Sequence, residues 1–158
     1  MLHGTAFSLT RKIPAALEKA GAALKLFREL EKQELVAFTL HAMAEFYFEF
    51  EQPKKALPLA TESLAIFKKI RSNNGWNGEA LSLVCKALIG SKQIARALQM
   101  AKVALTEFQD GGDKRGAIFA HDIQTRCHLE QNTPEQALRC TREAWRLAQE
   151  LGEKKWEA

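Results

Sequence analysis

The most reactive side chains in this 158-residue chain are four histidines and three cysteines, and their spacing argues against catalysis. His121 and Asp122 are neighbours on an expected helix and point in different directions, so the carboxylate cannot orient the imidazole as a general base. His121 and His128 share a helical face with no further ligand between them, and Cys127-His128 lacks the paired Cys/His spacing of a zinc site. No phosphate-binding glycine loop, nucleophile elbow or HExxH segment occurs. The residues imply no enzyme, no cofactor and no metal. The histidines read as core residues at repeated positions, and Cys85 reads as a small packing residue. Cys85, Cys127 and Cys140 are few and scattered, which fits a reducing interior better than a disulfide framework.

Charge is the next source of chemistry. A net charge of +4 with 27% charged residues gives a weak lean toward acidic partners. Lys68, Lys69 and Arg71, then Lys114 and Arg115, then Lys154 and Lys155 recur near successive loops and should line one edge. No aromatic platform is interleaved with them, so nucleic acid is not an expected partner. No apolar run approaches the roughly 18 residues that cross a bilayer. The N-terminus also lacks a basic segment leading into an apolar stretch. The expected location is intracellular, with the cytoplasm the first choice.

The elements that must position these groups repeat about every 40 residues. Ala16-Leu17, Ala56-Leu57, Ala97-Leu98 and Ala137-Leu138 are spaced by 40, 41 and 40. Leu24, Leu64, Leu105 and Trp145 keep the same register, as do Phe27, Phe67 and Phe108. Such a period means an α-solenoid, in which each unit buries its apolar face against its neighbours. Within a unit, Ala80, Leu81, Val84, Ala87 and Leu88 have the spacing of one helix over 78–90. Ile94, Ala97, Leu98, Ala101, Leu105 and Phe108 mark a second helix from about Gln93, with Ser91 as its expected cap. Asp110-Gly-Gly-Asp113 breaks the chain, and further helices are expected over 114–130 and 134–151. Thr133-Pro134 and Gln52-Pro53 are start signals, with Thr133 offering a capping hydroxyl. Pro58 lies inside a helix and should bend it. The single extra residue between units falls between Phe67 and Leu81, at Ser72-Asn73-Asn74-Gly75.

The units resemble tetratricopeptide repeats. Small residues recur on the first helix (Gly4, Ala44, Cys85, Thr125) and at two positions of the second (Ala16, Ala56, Ala97, Ala137; Ala23, Ser63, Ala104, Ala144). A larger position holds Phe7, Tyr47, Leu88 and His128. The length is similar to the extended subtype of kinesin light chains and of the heterotrimeric-G-protein regulators that orient spindles. Leu40, Leu81 and His121 stand where that pattern usually has tryptophan, and the consensus proline after the second helix is missing. The resemblance implies one all-α domain over 1–158, a right-handed superhelix of antiparallel helix hairpins. Its units fall at about 1–31 (first helix incomplete), 32–72, 73–112 and 113–151, with 152–158 starting a further helix.

The resemblance also implies where a partner binds. The family's inward positions fall on Phe38, His41, Glu45 and Phe48, then Glu79, Ser82 and Lys86, then Phe119, Asp122 and Arg126. These would form a concave groove, acidic and aromatic at one end and basic at the other, for a peptide segment of another protein. The alternative is that they are solvated helix faces. The Lys/Asn clamp of the chaperone-tail-binding subclass is absent, since His41/Glu45 and Ser82/Lys86 hold those positions. Both ends are expected to fall inside a repeat, leaving Leu138, Trp145, Leu151 and Trp156 as an end surface for self-association or another subunit. The expected function is a non-catalytic protein-interaction module. The alternatives are a structural subunit held through its ends and loop edges, or a segment of a longer regulatory protein.

Overall fold

A computed structural model describes the backbone of residues 3–70 and 76–152 and the side chains of 15–70 and 76–152. The described residues form seven helices and no strand: α1 (His3–Glu29), α2 (Gln33–Glu49), α3 (Pro53–Lys69), α4 (Trp76–Gly90), α5 (Ile94–Asp110), α6 (Lys114–Glu130) and α7 (Pro134–Leu151). The 40-residue period thus becomes the hairpins α2/α3, α4/α5 and α6/α7, stacked as an all-α solenoid. Expected helix limits at 114–130 and 134–151 coincide with α6 and α7.

One geometry makes five of the turns. Residues 30–32, 50–52, 91–93, 111–113 and 131–133 each join two helices. The middle residue is left-handed in every case: Glu31, Glu51, Lys92, Gly112 and Asn132, with φ of 54°, 56°, 61°, 70° and 56°. The N–H of the third residue reaches back to a carbonyl five residues earlier, as from Gln93 to Leu88 (2.8 Å), Asp113 to Phe108 (2.8 Å) and Thr133 to His128 (2.9 Å). This closure satisfies carbonyls that a helix end would otherwise leave open. Glycine is the low-strain choice at the left-handed site, and only Gly112 supplies it among the five.

The turns also show why two expected caps fail. In this closure the residue that caps the next helix lies two past the start of the turn, so Gln93 and not Ser91 precedes α5. The Ser91 hydroxyl is buried without a partner. Thr133 does precede α7, but its hydroxyl donates to the His128 carbonyl at 3.0 Å and lies 3.1 Å from His128 Nδ1. Asp113 is a working cap, accepting from the Gly116 N–H at 2.8 Å. A further correction concerns the first unit. Residues 3–29 form one 27-residue helix where the repeat register predicts an incomplete first helix followed by a second. Extending an existing helix adds a hydrogen bond per residue fixed, whereas a new one needs an unfavourable nucleus and a face to bury. The extra residue expected at 72–75 lies outside the described residues.

Packing follows the small residues. Ala44, Cys85, Ala56 and Ala97 are wholly buried. At these positions the neighbouring backbone comes close: the Ser63 hydroxyl donates to the Ala37 carbonyl at 2.8 Å, and Cys85 Sγ lies 3.8 Å from the Ala97 carbonyl. The first helices also pack on one another, α2 on α4 and α4 on α6, whereas the second helices α3, α5 and α7 do not meet backbone to backbone. The row of α2, α4 and α6 is therefore the inner, concave layer. Its central member α4 buries nine residues, but terminal α7 buries only Ala137 and Ala148.

Candidate functional site

Six of the ten residues assigned to the inward face line one cleft of about 170 Å³ between α2, α4 and α6: His41, Glu45, Glu79, Ser82, Lys86 and Phe119, joined by Leu83. Helical spacing brings them there. His41 and Glu45 are one turn apart on α2, Ser82 and Lys86 one turn apart on α4, and Phe119 projects from α6 across the crossing. Gly78 makes that crossing close: a Cβ there would sit 2.5 Å from Phe119 Cδ2.

The cleft holds charges without strong mutual pairing. Among the described residues, neither Glu79 nor Lys86 forms an ion pair. Glu45 has only His41, with 3.7 Å from Nε2 to Oε1. His41 is 7% exposed and its Nδ1 has no hydrogen-bond partner. Burial pulls the His41 imidazole below its ordinary value, with Glu45 and Glu79 opposing and Lys86 adding to the fall. Two carboxylates and one ammonium at the cleft can bind a peptide through charged and hydrogen-bonding side chains, whereas the buried His41 Nδ1 is out of a ligand's reach.

The other four inward residues stand apart from the cleft. Phe38 is held edge-on to Trp76 (ring centroids 4.6 Å) and Phe67 (5.2 Å), so it belongs largely to the core and is not a free anchor. Phe48 packs near Gly90 at the far end of α4. Asp122 and Arg126 pair with each other along α6 at 2.9 Å, so Arg126 is a compensated cation and Lys86 the uncompensated one. The repeat pattern does not mark Trp76, although it stands three residues before Glu79 on the same face. It stacks on Phe67 at 6.0 Å and lies 6.2 Å from the His41 ring.

The remaining chemical candidates are packed away. His121 and His128 are buried at 8% and 6% exposure, and Cys85 and Cys127 are wholly buried. Burial pushes the Cys85 thiol up to about 12 and the Cys127 thiol up to about 11. No group of three or more metal-ligating side chains occurs among the described residues. On the basic edge, Lys68 is paired with Glu107 at 2.6 Å and Lys114 with Glu150 at 2.9 Å. Arg71, Lys154 and Lys155 lie outside the described residues. At the end surface, Leu138, Trp145 and Leu151 are 51%, 49% and 37% exposed, while Trp156 lies outside the described residues. No described helix is long and apolar enough to cross a membrane.

No family model matches the chain, and no curated protein matches it. Among solved structures it is similar to BtubC (BKLC) from P. vanneervenii, with 17% sequence identity and a TM-score of 0.70. The likeness covers 92% of this chain and 59% of that one, so this chain spans less than two thirds of BtubC. At that identity the likeness shows the fold alone, an all-α helical repeat.

Proposed function

We propose that the chain is a non-catalytic protein-interaction module of the lengthened tetratricopeptide subtype, holding a segment of a partner protein on its concave face. The observation that supports this reading is the cleft in which His41, Glu45, Glu79, Ser82, Lys86 and Phe119 converge, with Glu79 and Lys86 in no ion pair among the described residues. Charged side chains from two helices that meet in one cleft without an ion pair between them leave charge for a partner to meet. A segment with a basic residue for the glutamates and an acidic or carbonyl group for Lys86 would complete the site. Co-purification tests this with wild type and a Lys86→Glu variant of equal thermal stability. The reading expects a partner present with wild type to be lost with the variant; retention of every partner counts against it.

A second reading has its own observation. Trp145 occupies the register of Leu64 and Leu105, which are respectively buried and half-buried, yet Trp145 is 49% exposed. On α3 and α5 that face is covered by the next hairpin; on α7 no described residue covers it. A structural subunit joined through this end would lose assembly, and not groove binding, on Trp145→Glu.

A further inference from the structure

The outer layer carries a groove that the concave-face reading does not use. Because α3 and α5 do not meet, a space of about 420 Å³ opens between them. Leu64, Leu81 and Ala104 make its buried floor, Met100 and Val103 one wall, and Lys68 and Arg96 stand at its lip.

Comparison of the repeats shows how this gap differs from the one before it. Between α1 and α3, Arg28 and Glu62 close the equivalent space with a 2.6 Å ion pair. Adding 40 to Arg28 gives Lys68, and adding 41 to Glu62 gives Val103. The next unit returns to an acid, since Glu143 lies 40 beyond Val103. Valine thus stands, 55% exposed, where both neighbouring hairpins have glutamate. Lys68 bridges the gap to Glu107, four residues further along α5, so the space beside Val103 has no charged pair over its apolar floor. Arg96 makes only a 3.3 Å bond to the Gln93 side chain and no ion pair among the described residues.

We propose that the α3/α5 groove is a second docking surface, which takes one large apolar side chain from an acidic segment of a partner protein. The floor and Val103 supply apolar contact for a side chain of leucine or phenylalanine size. The lip carries two cations against one carboxylate, Glu107, so its net positive charge selects acidic flanks. Partners could then be held on the inner and outer faces at once.

The test is an NMR titration of the full chain with a blocked decapeptide of glutamates around a central leucine. Amide shifts are expected to move at Leu64, Met100 and Val103. Val103→Glu, which restores the residue type of the neighbouring repeats at an exposed site, should weaken binding about ten-fold, as should Arg96→Glu. An all-glutamine version of the peptide should bind more weakly still. Three results would overturn the proposal: no shift at millimolar peptide, shifts confined to α2, α4 and α6, or binding unchanged by Val103→Glu. A concentration-dependent dimer that Val103→Glu dissolves would also overturn it, by making a second copy the occupant.

Discussion

Substituting Gly116 with alanine probes how closely successive hairpins are packed. Gly116 is the third residue of α6, is buried, and gives its N–H to the Asp113 cap. An added Cβ would lie 2.3, 2.5 and 2.6 Å from Cδ1, Cε1 and Cγ of Phe108, against an ordinary carbon–carbon separation of roughly 3.5–4.0 Å. The ring must therefore retreat by about an ångström or more to restore that separation, and at 7% exposure it is enclosed by core atoms. Overpacking of this kind costs about 1–3 kcal/mol. Removing a helical glycine returns at most about 1 kcal/mol. Contacts as short as 2.3 Å put the overpacking in the upper part of that range, so the net loss is about 1–2 kcal/mol, a fall in Tm of roughly 2–8 °C for a chain of this size. Gly21 in α1 is the control: a Cβ there would meet nothing within 4 Å, and Gly21→Ala should gain about 0.5–1 kcal/mol. Far-UV circular dichroism melts of the two variants decide it. If Gly116→Ala melts at or above wild type, the close α5–α6 approach is wrong.

Three further predictions concern titration, capping and thiols. His41 and His121 have values pulled below the ordinary 6.5 by burial. Just below that pH the unfolded chain binds more protons than the folded one, so this stability should be complete above about 6.5 and be lost as pH falls toward the lowered folded-state values. Urea midpoints measured across that range check the sign, and His121→Gln should flatten the curve. Asp113→Ala removes the acceptor 2.8 Å from the Gly116 N–H and should cost about 1 kcal/mol, read from the same denaturation curves. With Cys85 and Cys127 buried and their thiols raised to about 12 and about 11, Cys140 should alkylate first in the native protein. Mass spectrometry of the labelled peptides would contradict this by finding Cys85 or Cys127 modified as fast as Cys140.

Much of the fold was legible because packing and turn chemistry agree in the sequence. The alanine register at 56, 97 and 137 marks buried contacts, and Asp113 and Pro134 mark helix limits that the structure keeps. Ser91 and Thr133 misled because a hydroxyl near a helix start is a cap only if the preceding turn leaves it facing the open N–H groups. Glu31, Glu51 and Lys92 sit at left-handed positions that no residue preference would have indicated. The inward register brought most of the cleft together, but side-chain pairing within it was not legible. The Asp122–Arg126 pair and the aromatic group of Phe38, Phe67 and Trp76 depend on rotamers and helix crossings. The significance of Val103 emerged only once the Arg28–Glu62 pair showed what its repeat position does elsewhere.

The central claim is that a partner segment lies in the inner cleft, and photo-crosslinking tests it most directly. A benzoylphenylalanine replacing Phe119, which already places an aromatic ring at the cleft, should capture the partner from source extract. The same probe at Lys102, exposed on α5 of the outer layer, should not capture that partner. Capture from Lys102 with none from Phe119 would contradict the account.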